Sequence, residues 1–236
     1  MADLLVIVPS RGRPHNIARL VEGWSTAESA HLLVAVDDDD PTRAEYDAPW
    51  LITGPRRRLG PTLNRLAVKY APSYRMIGFM GDDHLPRTLG WDTAVRSALD
   101  EMGTGIVYGD DLLQHERLPT AVFMTSDIVE ALGYMSPPDQ VHLFLDDFWL
   151  ALGRQARCIR YLPDVVIEHL HPFAHKAPMD ERYRSVNNTE MVAADKAAWE
   201  DYQRCRLPGA VEKVRRLCES SSPGRPGSSG ATSPAA

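Results

Sequence analysis

The apolar run Met76-Ile77-Gly78-Phe79-Met80 ends abruptly in Gly81-Asp82-Asp83-His84. A strand buried on both faces does not tolerate two carboxylates and an imidazole, so the strand must stop where the acids begin. Asp82, Asp83 and His84 are thereby placed at the carboxyl edge of a sheet, the edge at which open α/β sheets take up ligands. Adjacent acids repel one another unless a cation or solvent relieves them. A divalent cation carrying a phosphorylated ligand satisfies that demand. A solvated acidic turn satisfies it too, and both readings stand at this point.

The rest of the chain supplies a sheet for that edge. Leu4 to Val8, His31 to Val36, Trp50 to Thr53, Arg75 to Met80 and Gly105 to Tyr108 are short apolar runs that read as strands. Between them lie helical patterns: one from Pro14 with Ile17, Leu20, Val21 and Trp24, one opened by Gly60-Pro61, and one from Thr88 to Met102 stopped by Gly103. Such alternation predicts an α/β fold, a single Rossmann-like domain with a mainly parallel central sheet flanked by helices. The later half is less regular. Thr120 to Thr125 reads as a strand, with Ser126 placed to cap a helix over Asp127 to Leu132. Phe144 to Leu152 reads as a helix, and Cys158 to Leu162 and Val165 to Leu170 as two strands parted by Pro163-Asp164. Two C-terminal helices follow, Asn187 to Arg204 and Val211 to Leu217. The expected division is a core over 1–172, a lid loop and C-terminal helices over 173–219, and a disordered Ser/Gly/Pro/Ala tail over 220–236.

Composition excludes several classes. The net charge of −6 provides no basic field for nucleic acid. No stretch reaches the roughly 18 apolar residues of a membrane span, and Asp3 breaks any leader-like start. Three widely spaced cysteines, Cys158, Cys205 and Cys218, argue against a disulfide framework and for a reducing, cytoplasmic setting. The chain lacks a Gly-x-x-x-x-Gly-Lys phosphate loop, a Gly-x-Gly-x-x-Gly fingerprint after the first strand and a Gly-x-Ser-x-Gly elbow.

What remains is polar chemistry at strand ends. Acidic groups follow three of the strands, at Asp37 to Asp40, Asp82-Asp83 and Asp110-Asp111. Gathered on one edge, they would make a negative cleft that calls for a cation or a donor-rich ligand; taken singly, they could cap turns. Arg11 and Arg13, in the exit loop of the first strand, offer guanidinium forks for phosphate oxygens. Asn64 sits beside apolar Leu63 and Leu66, where it could reach a ligand or bond a neighbouring backbone group. Asp146 and Asp147 lie between Val141-His142-Leu143-Phe144-Leu145 and Phe148-Trp149-Leu150. Apolar surroundings raise a carboxyl pKa toward general-base duty, whereas at a helix N-terminus the same pair simply complements the dipole. His169 and His171, two apart after a buried run, project to one face of a strand, and neutral imidazoles suit Mn²⁺-like or Zn²⁺ ions.

In this order the pieces resemble the GT-A-type nucleotide-sugar glycosyltransferases, in particular the inverting family 2-like group, over about Leu4 to Pro172. Val6-Ile7-Val8-Pro9-Ser10-Arg11-Gly12-Arg13-Pro14 looks like the family's opening strand and nucleotide loop, and Val36-Asp37-Asp38 like the strand whose acid contacts the base. Ile77 to His84 resembles the strand bearing the Asp-x-Asp metal motif, with Gly81 where the family has its first Asp, Asp82 in the middle and Asp83 last. Phe144 to Leu150 resembles the acidic pair, usually Glu-Asp, whose second member is the base. Tyr161 to His169 resembles the late segment that ends in a metal-coordinating His.

The resemblance implies a metal-dependent, hexosyltransferase-like enzyme that moves a sugar from a nucleoside-diphosphate donor, with UDP-sugar favoured, to an acceptor hydroxyl with inversion. The acceptor would be a protein or a glycan. It implies Asp147 as base with Asp146 beside it, and Asp83, His169 and His171 as ligands of Mn²⁺ or Mg²⁺. It implies Pro9, Ser10, Arg11, Arg13, Asp37, Asp38, Asn64 and Asp82 as donor-binding residues, and a lid over 171–184. The rival readings are a non-catalytic nucleotide- or glycan-binding module, a sugar nucleotidyltransferase, and a hydrolytic metalloenzyme built on His84, His169 and His171.

Overall fold

A computed structural model describes residues 3–174, 176–177, 184 and 188–221 of the 236. Eight strands form one sheet: β1 (Leu4–Ser10), β2 (His31–Asp37), β3 (Leu51–Gly54), β4 (Met76–Phe79), β5 (His84–Pro86), β6 (Ile106–Asp110), β7 (Val122–Thr125) and β8 (Ile159–His169), in the order β3-β2-β1-β4-β7-β6-β8-β5. The pairs β1/β2, β1/β4, β2/β3 and β6/β8 are parallel. β7 runs antiparallel to β4 and β6, and β5 antiparallel to β8. The fold is thus the expected α/β sandwich with a mixed sheet. Because β7 reverses between β4 and β6, the strands β1, β2, β4, β6 and β8 all deliver their carboxyl ends to one edge.

Among the described residues seven α-helices cover the sheet: α1 (Pro14–Gly23), α2 (Leu59–Tyr70), α3 (Trp91–Met102), α4 (Ser126–Leu132), α5 (Leu145–Ala156), α6 (Thr189–Cys205) and α7 (Leu207–Ser221). β1 shows why both faces are covered. Leu5 and Ile7 join one core with Leu63, Phe148 and Trp149, while Leu4, Val6 and Val8 join the other with Ile17, Leu20 and Trp91. All five strand residues are fully buried, each worth about 1.5–3 kcal/mol of apolar burial. α6 is docked by one stripe, Asp195, Trp199 and Tyr202, at helical spacing i, i+4, i+7.

Local differences from the sequence expectation have physical causes. Pro163-Asp164 does not divide β8 into two strands. A bulge moves the partners of β6 from Leu162 to Val166 between Gly109 and Asp110, which absorbs the proline that cannot donate. Ser126 does not cap α4 but begins it, and its hydroxyl donates to the Tyr74 carbonyl across 2.5 Å. β5, three residues immediately after the acids, was too short to announce itself. α6 starts at Thr189, capped by Asn188, whose side chain accepts from the Met191 N–H. Ser220 and Ser221 belong to α7, and the remainder of the expected tail lies outside the described residues. Of the expected lid, most of 175–187 likewise lies outside them.

Candidate functional site

A single cleft runs along the carboxyl edge. Its lining includes Pro9, Ser10, Arg11, Arg13, Asp37, Asp82 and Asp83 from the first half of the chain and His142 to Asp146, His169 and His171 from the second. The convergence follows from the topology. Asp37 closes β2, Asp82 and Asp83 follow β4, and His169 closes β8.

The centre is Asp83, His84 and His169, whose ligand atoms all lie within 4.8 Å of one another. Backbone pairing builds it. The β5/β8 ladder sets His84 opposite His169, the Leu170 N–H donates to the Asp83 carbonyl (2.8 Å), and the His169 N–H donates to the Asp111 carbonyl (2.9 Å). The two imidazoles stack at 4.3 Å. They are not equivalent. His84 Nδ1 accepts the Gly81 N–H (3.0 Å), which fixes its proton on Nε2, and Nε2 faces Thr120 Oγ1 at 3.3 Å. Thr120 Oγ1 donates onward to Asp111 (2.8 Å). Burial and the charge of His169 lower the His84 pKa.

His169 is the opposite case. Burial disfavours its charged form, yet Asp111 and Asp83 outweigh burial and push its pKa up to about 9. Its Nε2 lies 3.5 Å from Asp83 Oδ1 and its Nδ1 lies 3.9 Å from Asp111 Oδ2. Burial likewise opposes ionisation of Asp83, but His169 and His84 hold its carboxyl well below the usual range. Asp111 is buried and ionised for the same reason, with the N–H groups of Leu113, Gln114 and His115 also donating to it.

The donor set fits a hard divalent cation. Asp83 Oδ1 lies 3.5 Å from His169 Nε2, and a cation taken up between them would displace the proton that this imidazole holds. Asp83 and His169 are the two ligands the arrangement offers most directly, since His84 Nδ1 is already occupied by Gly81. His171, expected as a ligand, is outside the three-residue group. Its ring stands edge-on to His169 at 4.8 Å, on the cleft wall. Gly81, where the resemblance expects an acid, has no room for one. A Cβ there would sit 2.7 Å from Asp83 Oδ1 and 2.9 Å from His84 Nδ1.

Around this centre the expected residues separate. Asp82 is buried, accepts from Ser10 Oγ (2.7 Å) and pairs with Arg13 (3.1 Å). Burial and neighbouring Asp83 raise its pKa. Arg13 also lies 4.0 Å from Asp83, so in this state it neutralises the acidic pair. Arg11 pairs with Asp37 (3.2 Å) and Asp39. Of Asp37 and Asp38, Asp37 lines the cleft; Asp38 is exposed away from it.

Asn64 does not line the cleft, which corrects its expected donor-binding role. Its Oδ1 accepts from the N–H groups of Met135 and Ser136 (2.8 Å each) and its Nδ2 donates to the Ser136 carbonyl (2.9 Å). Its amide therefore holds a turn, the local-bonding alternative that its position beside apolar residues left open. In the acidic pair, Asp146 lines the cleft and Asp147 is not among the lining residues. Burial, then the charge of Asp147, pushes the Asp146 pKa up to about 6, and burial raises that of Asp147. Asp111 was legible as an acid that follows a strand, whereas sequence reasoning missed Thr120 and Trp149 as parts of the site. Nothing in the spacing of those two marks them; only the fold brings them there.

No protein-family model matches this chain, and no curated protein matches it. Solved structures do. The mannosyltransferase PcManGT from Pyrobaculum calidifontis, in complex with GDP-Man and Mn²⁺, has 15% identity and a TM-score of 0.53, over 94% of this chain and 76% of that one. Glucosyl-3-phosphoglycerate synthase from Mycobacterium tuberculosis, in complex with Mg²⁺ and UDP, has 16% identity and a TM-score of 0.58, over 86% and 79%. S. aureus TarS 1-349, in complex with UDP, has 13% identity and a TM-score of 0.51, over 93% and 91%. Among the described residues no helix is long and apolar enough to cross a membrane. The edge-on cleft, the strand order and these likenesses together show that the chain has the GT-A-type fold found in nucleotide-sugar glycosyltransferases.

Proposed function

We propose that the protein transfers a sugar from a nucleoside-diphosphate donor to an acceptor hydroxyl, with inversion. The observation that carries this reading is that one cleft is lined both by the Asp83, His84 and His169 group and by the carboxylate of Asp146. The likenesses to structures holding UDP or GDP-Man with Mn²⁺ or Mg²⁺ support it, and they make a UDP-sugar with Mn²⁺ or Mg²⁺ the first combination to test.

Asp83 and His169 would hold the divalent cation, which when bound supplies charge neutralisation for the departing diphosphate. Asp37 accepts from the nucleoside at the end of β2. Arg11 and Arg13, now paired with carboxylates, are placed to turn toward the diphosphate. His84 walls the centre, its Nδ1 held by the Gly81 N–H. Asp146 takes the proton of the acceptor hydroxyl as that oxygen attacks the anomeric carbon from the face opposite the leaving group. The transition state has oxocarbenium-like charge, as in other displacements at an anomeric carbon. The base is assigned to Asp146 instead of Asp147 because Asp146 reaches the cleft and has a pKa raised toward neutrality.

The test is a screen of UDP- and GDP-sugars with Mn²⁺ against wild type and Asp146→Asn. Turnover of one donor by wild type, and its loss in the variant with nucleotide binding kept, is the expected result. Nucleotide binding with no turnover of any donor under any acceptor condition would leave a binding module and overturn the catalytic reading.

A further inference from the structure

The wall that carries Asp146 is irregular chain, and its shape depends on a buried carboxylate from a remote helix. Asp195 on α6 is 1% exposed. Isolating a carboxylate from water costs several kcal/mol unless hydrogen bonds replace the lost solvent. Three successive backbone donors do so here. Val141 N–H donates to Asp195 Oδ1 (3.0 Å), and His142 and Leu143 N–H both donate to Oδ2 (2.9 and 2.7 Å).

Other contacts close the same loop. The Gln140 side chain donates to the Leu143 carbonyl (3.1 Å), and the Gly60 N–H donates to the Val141 carbonyl (3.0 Å). A Cβ at Gly60 would collide with the Gln140 carbonyl, so this approach is open to glycine alone. The next residue, Phe144, takes a left-handed conformation (φ 63°), uncommon for a bulky side chain, and then α5 begins. Asp146 is the second residue of that helix. Only one strained residue, Phe144, and one helical residue, Leu145, therefore separate the three clamped amides from the base, and His142, Leu143, Phe144, Leu145 and Asp146 all line the cleft.

We infer that Asp195 is a positioning residue for the transfer reaction: it clamps residues 141–143 and so sets where Asp146 and the acceptor-facing wall stand, making α6 part of the catalytic apparatus. The inference rests on the function proposed above. Trp199 and Tyr202 lie on the same buried stripe of α6, but Tyr202 packs on Phe148 and Tyr134 and Trp199 stacks on Tyr202. An aspartate in the middle of an otherwise aromatic stripe is a poor choice for packing alone.

Asp195→Asn keeps the shape but turns an N–H₂ toward one or more of the three donors. With UDP-glucose and Mn²⁺ its kcat is expected to fall about 10- to 100-fold, while the Kd for UDP with Mn²⁺ stays within about twofold of wild type. Tyr202→Phe breaks the 2.7 Å Tyr134–Tyr202 hydroxyl contact on the same helix and should leave kcat unchanged even where it lowers Tm. An equal kcat loss in both variants, or none in Asp195→Asn, overturns the inference. If Asp195→Asn does not fold, or UDP-glucose is not turned over, hydrogen exchange on wild type decides the clamp. The amides of Val141, His142 and Leu143 should exchange as slowly as those of α5, and exchange at the rate of open loops would refute it. The proposed function fails separately, if wild type binds no nucleoside diphosphate.

Discussion

At the strand ends of the cleft, acids leave parallel strands and meet partners at once: Asp37 with Arg11, Asp82 with Ser10 and Arg13, Asp83 with His84 and His169. In the segment that carries Asp146 no strand is involved. Asp146 rides the first turn of α5 behind a left-handed Phe144 and a loop tied to Asp195, Gln140 and Gly60. One wall is set by the sheet and charge-balanced before any ligand arrives. The other is set by side chains from distant elements, and its key carboxyl is held against burial with a raised pKa. On the function proposed above, a wall set by the sheet would bind the donor and a wall clamped from α6 would carry the base, and that separation of affinity from turnover can be broken experimentally.

The largest expected effect is on the reacting wall. Asp146→Asn should lower kcat by about 10²–10⁴-fold, the range for losing a general base, with nucleotide affinity unchanged. Asp147→Asn should have a far smaller effect, and the reverse ranking would move the base to Asp147. With its pKa at about 6, Asp146 must be ionised to accept a proton, so kcat should fall as pH drops below about 6, to a limiting slope of tenfold per pH unit. On the binding wall, Asp83→Ala should weaken Mn²⁺-dependent nucleotide binding by at least about 100-fold, beyond the usual cost of losing a supporting residue. Metal-independent affinity of the same size in both proteins would dissolve the distinction between the walls.

Smaller effects concern stability. Asn64→Ala leaves the Met135 and Ser136 amides without their acceptor, which should cost about 1–3 kcal/mol of folding free energy and leave nucleotide affinity unchanged. A loss of affinity would return Asn64 to the donor site. Asp146 in wild type should show the opposite sign. A carboxyl whose folded pKa lies above its unfolded value of 3.8 destabilises the fold once ionised. That cost grows as pH rises from about 4 through 6 and is constant above. Asp146→Asn should therefore be more stable than wild type at pH 7.5 by about 1–2 kcal/mol, discounted for the water in the cleft, and the advantage should vanish near pH 4. Thermal melts at the two pH values would show it.

The same contrast explains what the sequence made legible. An apolar run that stops in acids identifies a strand and its exit, so Asp37, Asp82 and Asp83 were readable along with the parallel core that presents them. His169 was readable because its run is equally plain. Asn64 was misjudged because a polar residue on a buried helix face has two uses, and only the position of Met135 and Ser136 decides between them. Asp111 was readable as an acid that follows a strand, but its partner Thr120 depends on β7 running against its neighbours, which no local pattern announces. The choice between Asp146 and Asp147 turns on how far α5 is rotated, and that is decided by Phe144, Trp149 bonding the Met135 carbonyl (2.7 Å) and the α6 clamp. Contacts between residues tens of positions apart leave no periodicity to read.

The central claim is that Asp83 and His169 jointly hold a divalent cation on which a nucleoside diphosphate depends. Calorimetric titration of UDP and GDP into wild type, Asp83→Ala and His169→Ala, each with and without Mn²⁺, tests it directly. The account predicts tight binding of one nucleotide by wild type only when Mn²⁺ is present, and loss of that Mn²⁺ dependence in both variants. Binding of equal strength with and without Mn²⁺, or full Mn²⁺ dependence surviving in either variant, would contradict it.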